Sequence, residues 1–285
     1  MEDKDRSAAI AITGAHSLIG QMLVRHLAAD RRPILGLVTP WTDTGVLARP
    51  HDRVEYIASD LRLGLPITPR EQVKACGTVL HLAWARPADP RRAAAENTAI
   101  LDTLLDAMDS GARLIFLSSV SATSDSPSFY GKSKFAVAER LRSRPNTVEI
   151  IAGLMRSDPP MGPYKVLHDT VLKLPLRPVF LPAPTAFLAS EDILFAAIDQ
   201  ALAQPTPTGP VAAFDPATSD LNTVLRDIVR TAGRNPPPVP VPTPLINTLL
   251  GLAQGIRPGL AILDRLRTLL GVSKTGVAAR LQGGG

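Results

Sequence analysis

The chain has 285 residues, 45% of them hydrophobic and 20% charged, so it can bury a full core and is not disordered by composition. Lysine plus arginine exceeds aspartate plus glutamate by 31 to 26, a net charge of +5, but the basic residues are scattered pairs such as Arg31-Arg32 and Arg91-Arg92. That pattern argues against a nucleic-acid stripe while suiting an anionic ligand, and a single cysteine, Cys76, excludes an internal disulfide and a cysteine-built metal site.

The first ten residues lack the apolar stretch of a signal peptide, and no run of 18 apolar residues occurs. A soluble, cytoplasmic protein is expected, monomeric or homodimeric. Its expected partner is a small-molecule substrate, not nucleic acid and not a membrane.

Residues 8–13 predict a short buried strand. It runs into Thr13-Gly14-Ala15-His16-Ser17-Leu18-Ile19-Gly20, and a helical pattern continues to about residue 29. Residues 34–38 predict a second strand, which completes a strand–helix–strand unit of a parallel sheet. Further strands are predicted at 54–58, 78–83, 112–117 and 148–152. Helices are predicted over 93–108 and 135–142. This alternation predicts an α/β fold, a doubly wound parallel Rossmann sheet over residues 1–155. Residues 156–285 read as a small, mostly helical substrate lobe, with a strand and helix after 185 returning to the sheet.

Beyond Arg156, prolines cut the pattern into short pieces. Helices are predicted at 193–202 and 221–232, with an extended proline-rich connector at 236–244. Residues 245–270 predict one or two apolar helices interrupted at Pro258. Packing within the lobe is the leading reading for them, ahead of a membrane surface or a dimer face. The final Gly-Gly-Gly is expected to fray.

In the glycine segment, Gly14 allows a tight turn and Gly20 lets the helix pack closely on the sheet. The helix N-terminus offers free N–H groups and a positive dipole end to a pyrophosphate. Ser17 stands where a third glycine would permit close backbone approach. His16, Ser17, Leu18 and Ile19 complete the expected cofactor turn.

With this turn on the page, the chain resembles the extended or atypical short-chain dehydrogenase/reductases, the group that includes the NAD-dependent epimerase/dehydratases. Further segments follow in the family's order. Ser59-Asp60-Leu61 falls where the family's Asp meets the adenine. Thr78-Val79-Leu80-His81-Leu82-Ala83 is similar to the fourth-strand signature. Asn97 opens the next helix. Phe116-Leu117-Ser118-Ser119 resembles the end of the fifth strand, and Tyr130-Gly131-Lys132-Ser133-Lys134 the Tyr-x-x-x-Lys motif. Gly153-Leu154-Met155-Arg156 with Gly162-Pro163 resembles the sixth-strand exit, and residues 187–192 the segment before a late helix. The resemblance implies a nicotinamide cofactor held by Gly14 to Gly20, Thr39, Asp60, Leu61, Leu82, Ala83 and Lys134.

Ser119, Tyr130 and Lys134 suit hydride transfer. A ketone that accepts hydride becomes an alkoxide and needs a proton. A free tyrosine, with a pKa near 10, is a poor acid–base at neutral pH, and a nearby ammonium lowers that value. On a helix, positions 130 and 134 share one face. Ser119 would bond the carbonyl or alkoxide oxygen, with Ser118 as the alternative.

Some features depart from the family. The gap of 11 residues between Ser119 and Tyr130 is short. Ser119-Val120-Ser121 lacks the Asp-Glu of sugar 4,6-dehydratases. Pro159 and Thr185 stand where nucleotide-sugar enzymes often carry Asn and Arg. Lys165, His168, Lys173 and Arg177 could substitute as diphosphate contacts.

The second strand ends Leu37-Val38-Thr39-Pro40-Trp41, with no acid to hold a ribose 2′-hydroxyl. NADP(H) is therefore expected ahead of NAD, helped by Thr39, His16, Arg49 or Arg53. No histidine has ligand spacing, so no metal is expected; His81 reads as a core or cofactor-wall residue, and Trp84 as a wall of the cleft or part of the core. The leading expectation is an NAD(P)H-dependent ketoreductase or dehydrogenase acting on a small, apolar or polycyclic substrate. A nucleotide-sugar epimerase or 4-reductase is the alternative, and a non-catalytic NAD(P)-binding sensor the second.

Overall fold

A computed structural model describes residues 9–204, 209–217, 219–257 and 260–282. The first half alternates β1 (Ile10–Thr13), α1 (Leu18–Leu27), β2 (Ile34–Val38), β3 (Val54–Ala58), α2 (Ile67–Lys74), β4 (Thr78–His81), α3 (Ala93–Ala107), β5 (Arg113–Ser119), α4 (Phe129–Leu141) and β6 (Thr147–Ala152). Then follow β7 (Leu154–Met155), α5 (Gly162–Lys173), β8 (Arg177–Leu181), β9 (Thr185–Ala186), β10 (Leu188–Ala189), α6 (Glu191–Ala203) and β11 (Val211–Ala213). The chain ends through β12 (Ser219–Asp220), α7 (Leu221–Thr231), β13 (Pro238–Pro242), α8 (Thr243–Ile256), α9 (Ala261–Leu270) and α10 (Lys274–Leu281).

Seven strands form the main sheet in the order β11-β6-β5-β4-β1-β2-β3, every pairing parallel. The order reverses between β1 and β4, which opens a crevice at their carboxyl ends. The central strands are apolar on both faces because helices cover both. Ile10, Ile12, Leu80, Ile115 and Ile150 meet α1 and α6 residues such as Leu23 and Ile198 on one side. Ala11, Val79, Leu114 and Phe116 meet Leu101, Leu104 and Val137 of α3 and α4 on the other. Each fully buried large side chain contributes about 1.5–3 kcal/mol of transfer free energy. The fold class expected from the sequence is the one observed.

Outside the sheet, α5 and α7 pack on one another with Leu270 of α9 in a separate apolar cluster. The structure adds to the sequence reading in several places. The helix that continues over 135–142 begins at Phe129, where Ser128 caps it and accepts from Gly131 N at 3.0 Å, and α2 was not read from the sequence. A helix over Gly162–Lys173 stands where prolines suggested broken pieces; Pro163 falls in its first turn, where a missing N–H costs nothing. The proline-rich connector is strand β13, paired in parallel with β8, so it is ordered edge structure and not a bare linker. A last helix, α10, follows α9. Ala8, Pro258 and the terminal Gly-Gly-Gly lie outside the described residues. Among the described residues no helix is long and apolar enough to cross a membrane.

Candidate active site at the carboxyl edge of the sheet

The glycine turn is built tightly. Gly14 has φ +68°, and a Cβ there would lie 2.9 Å from the backbone of Ala83, so only glycine lets the turn pass the end of β4. A Cβ on Gly20 would lie 2.5 Å from the carbonyl oxygen of Gly14. Ser17 is the N-cap of α1, its hydroxyl accepting from Gly20 N at 3.1 Å. That role explains a serine where a third glycine was expected. His16 and Leu18 are exposed and Ile19 is half-buried, so the turn presents its outer side to a ligand.

Thr13 ties the turn to β4. Its hydroxyl accepts from Leu82 N and Ala83 N, both at 3.1 Å, and lies 2.9 Å from His81 Nδ1. With both lone pairs engaged, the hydroxyl donates to Nδ1, which leaves the proton of a neutral imidazole on Nε2. Burial first, and Lys134 second, push the His81 pKa down to about 3. His81 is thus a neutral core residue, stacked on Phe116, and no cluster of potential metal ligands occurs among the described residues. Asn97, almost fully buried, accepts from Ala85 N at 2.8 Å and donates to Ala85 O at 3.0 Å, fixing the backbone just past Ala83.

Ser119 and Tyr130 lie near one another, close enough for the Ser119 hydroxyl to act on the phenol. Ser119 also lies 3.0 Å from Ser121 Oγ. Ser118 points to the opposite face of β5, where its hydroxyl is buried without a partner among the described residues. Ser119, not Ser118, is therefore the hydroxyl on the side of Tyr130.

Lys134 differs from expectation. Its ammonium donates to Leu117 O at 2.7 Å and sits 3.8 Å from the Trp84 ring centre. It is only 4% exposed, and burial lowers its pKa to about 7, opposed by Glu149 and reinforced by Arg86. Tyr130 is not lowered by Lys134. Burial raises the phenol, and the partners that oppose this are the charge of Arg86 and the Ser119 hydroxyl. The neighbouring ammonium is turned onto a carbonyl and an aromatic face, so the cation that acts on the phenol is Arg86. Trp84 touches both residues, its ring 6.2 Å from that of Tyr130 and edge-on to it.

The loop between Ser119 and Tyr130 is held from the C-terminal helices. Asp264 of α9 accepts from Phe129 N at 2.7 Å and from Tyr130 N at 3.1 Å. With Ser128 it satisfies the first three N–H groups of α4. Gln254 of α8 donates to Asp264 at 3.1 Å and accepts from Arg267. Gly271 lies so close to Pro127 that a Cβ would meet its ring at 2.2 Å, and a Cβ on Gly276 would meet Thr123 at 2.8 Å. Arg280 donates to Ala122 O at 2.6 Å and pairs with Glu149, the carboxylate that supports the charge of Lys134.

At the ends of β2 and β3 a cleft of about 450 Å³ is lined by Pro40, Ala58, Ser59, Asp60, Leu63 and Leu65. Leu61 is buried beneath it. Asp60 holds Arg62 through 2.6 and 2.9 Å contacts, and its pKa is lowered by that bond first. Arg62 in turn lies 5.8 Å from the Trp41 ring, beside the loop that follows β2. Thr39 bonds Thr42 at 2.8 Å. The other arginines named for this region point elsewhere: Arg49 over Tyr56, Arg53 to the carbonyl of Arg31. Three residues were not singled out from the sequence: Arg62, Arg86 and Asp264. Arg86 and Asp264 carry no local signature, because each acts on a partner that only the fold brings near, whereas Arg62 bonds Asp60 two residues away.

These features fit a dinucleotide. The turn admits no side chain at Gly14 or Gly20, and the buried Ser59 hydroxyl at the cleft lacks a partner among the described residues. Gly162, at the start of α5, comes within van der Waals reach of Leu18, so the lobe stands at this same edge. The sheet order and the crevice at its carboxyl edge are those of a doubly wound Rossmann-type fold. The chain is similar to the NAD complex of the Bordetella bronchiseptica enzyme WbmG, at 19% identity and TM-score 0.62, covering 82% of this chain and 81% of that one. It is similar to the structure of gox2253 at 17% identity and TM-score 0.65, covering 97% of each chain. The UDP-N-acetylglucosamine 4-epimerase of Bacillus cereus matches at 17% identity and TM-score 0.62, covering 82% of this chain and 87% of that one. The sequence matches no protein-family model and no curated protein.

Proposed function

We propose that the chain is an NAD(P)H-dependent oxidoreductase of ketoreductase type, acting between a ketone and a secondary alcohol on a small, apolar or polycyclic substrate. The placement of Ser119 at the end of β5, near Tyr130 and Lys134 of α4 and one strand away from the glycine turn, carries this reading. Gly14 to Gly20 and Leu82–Ala83 would hold the pyrophosphate and the nicotinamide half. Asp60, Leu61 and Ser59 would hold the adenine. When bound, the nicotinamide supplies or takes the hydride.

The protein's own work is the proton. Tyr130 donates from its hydroxyl to the nascent alkoxide, while Ser119 bonds the same oxygen. Arg86 stabilises the phenolate that results, and Lys134, with a pKa of about 7, would supply the proton that restores the phenol. Trp84 is the aromatic wall that excludes water between them. NADP(H) is favoured over NAD: β2 ends without an acid, and the cation Arg62 lies beside the loop that follows it. Division into a cofactor domain over 1–155 and a substrate lobe from 156 belongs to the same proposal, with the C-terminal helices bracing the catalytic loop.

A nucleotide-sugar epimerase remains the second reading, favoured by the fold shared with the Bacillus cereus 4-epimerase. Against it, Lys165 and His168, which could have met a diphosphate, are both paired with Asp169. Nicotinamide fluorescence with NADPH and NADH, followed by turnover on a ketone panel and on UDP- and dTDP-sugars, separates the readings. Oxidation of NADPH by ketones supports the first; turnover of the sugars alone contradicts it. Cofactor binding without turnover of either would make the chain a sensor.

A further inference from the structure

The C-terminal helix α8 has no charged residue and is apolar on two opposite sides. One side, with Thr243, Ile246, Leu250 and Gln254, packs inward. The other carries Leu245, Leu249, Leu252 and Ile256, which are 54%, 51%, 62% and 80% exposed. At 3.6 residues per turn these four fall within one narrow stripe. A helix apolar all round is ordinarily buried on both sides. In the next helix Ile262 and Leu266 are exposed too. The sequence reading that this segment packs within the lobe accounts for only half of it.

Charge identifies what the bare stripe meets. Beyond Thr231 the sequence has six basic residues and one acid, Asp264. That acid is buried and turned to the start of α4, so no acidic side chain in this segment faces outward. Arg257 directly follows the stripe and Arg265 sits between Ile262 and Leu266; both are exposed. A second copy of the chain would bring like charges together around the stripe. An anionic lipid surface would take the leucines among its acyl chains and the arginines among its headgroups.

We propose that α8 and α9 dock the protein peripherally on an anionic membrane surface through the Leu245–Leu249–Leu252–Ile256 stripe. This docking is independent of the chemistry proposed above. It would give a membrane-dissolved apolar substrate a short route to the site.

The test is co-sedimentation of the full chain with vesicles of phosphatidylglycerol and phosphatidylcholine, against phosphatidylcholine alone. The expected result is binding to the anionic vesicles, weakened by salt, and reduced about tenfold or more in Leu249→Ser/Leu252→Ser. Arg257→Glu/Arg265→Glu should lose most of the preference for anionic lipid. NADPH titration of each variant checks that the sheet is intact. No binding to anionic vesicles overturns the proposal, as does binding that the leucine variant leaves unchanged. A dimer in solution that Leu252→Glu dissociates would also overturn it, assigning the stripe to a second copy.

Discussion

Residues of the sheet and residues of the C-terminal helices reach the same site by different means. Thr13, Gly14, His81, Ala83 and Ser119 arrive because β1, β4 and β5 lie side by side in parallel register, and strand ends that share an edge bring neighbours together. Asp264, Gly271, Gly276 and Arg280 arrive through single contacts on the loop from Ser119 to Tyr130. The first kind of placement is periodic and redundant. The second depends on a handful of hydrogen bonds and two glycines. The proposed chemistry lies at the sheet edge, and the position of Tyr130 is set partly from the far end of the chain.

That contrast can be broken at either end. The largest effect is expected at the tyrosine itself. Tyr130→Phe keeps the ring against Trp84 and removes the proton source, so turnover on a reactive ketone should fall about 10²–10⁴-fold. NADPH affinity in the same variant should hold, which a fluorescence titration reads directly. Unchanged turnover would leave the Tyr130 hydroxyl without a part in the proton transfer.

Next comes the turn. Gly14→Val places a β-branched residue at positive φ with its Cβ against Ala83, a strain of about 1–3 kcal/mol. The expected outcome is a loss of NADPH affinity of about tenfold or more by the same titration, with circular dichroism near native.

On the C-terminal side, Asp264→Asn keeps the volume but turns an amide N–H toward one of two backbone donors. A charged acceptor of this kind is worth about 1.5–3 kcal/mol. A lowered Tm is expected, together with turnover reduced about tenfold at unchanged NADPH affinity. Asp264→Glu should recover part of the turnover. Full turnover in Asp264→Asn would show that the tyrosine's position owes nothing to the C-terminal helices.

The smallest effect concerns pH. Lys134 has a pKa of about 7 in the folded chain, against an ordinary value of about 10.4 when unfolded. Below pH 7 both states hold the proton and the folded state bears the full cost of burying it. Between about pH 7 and 10 the folded state has released the proton while the unfolded state binds it, so stability rises with pH. Thermal melts should show wild type gaining on Lys134→Met as pH is raised from 6 to 9. Parallel curves would mean that the ammonium is not desolvated.

How much of this was legible follows from the same contrast. The strand runs and the glycine turn were readable because hydrophobic period and backbone chemistry are local properties of the chain. Tyr130 and Lys134 were readable as a helix pair, but not the direction in which Lys134 would turn. That direction depends on Trp84 and Leu117, which reach it from β4 and β5. The capping of α4 was not readable in full, because part of it comes from more than a hundred residues downstream, in Asp264. Arg86 and Arg62 follow no periodic rule. Prolines in 236–244 read as a linker, since their pairing with β8 leaves no mark in either segment alone.

The central claim is that the carboxyl edge of the sheet holds a nicotinamide dinucleotide, and nicotinamide fluorescence on titrating the wild-type chain with NADPH and NADH tests it most directly. The account predicts saturable binding of both, tighter for NADPH, with the preference reversed or lost in Arg62→Glu. No binding of either nucleotide at millimolar concentration would contradict it.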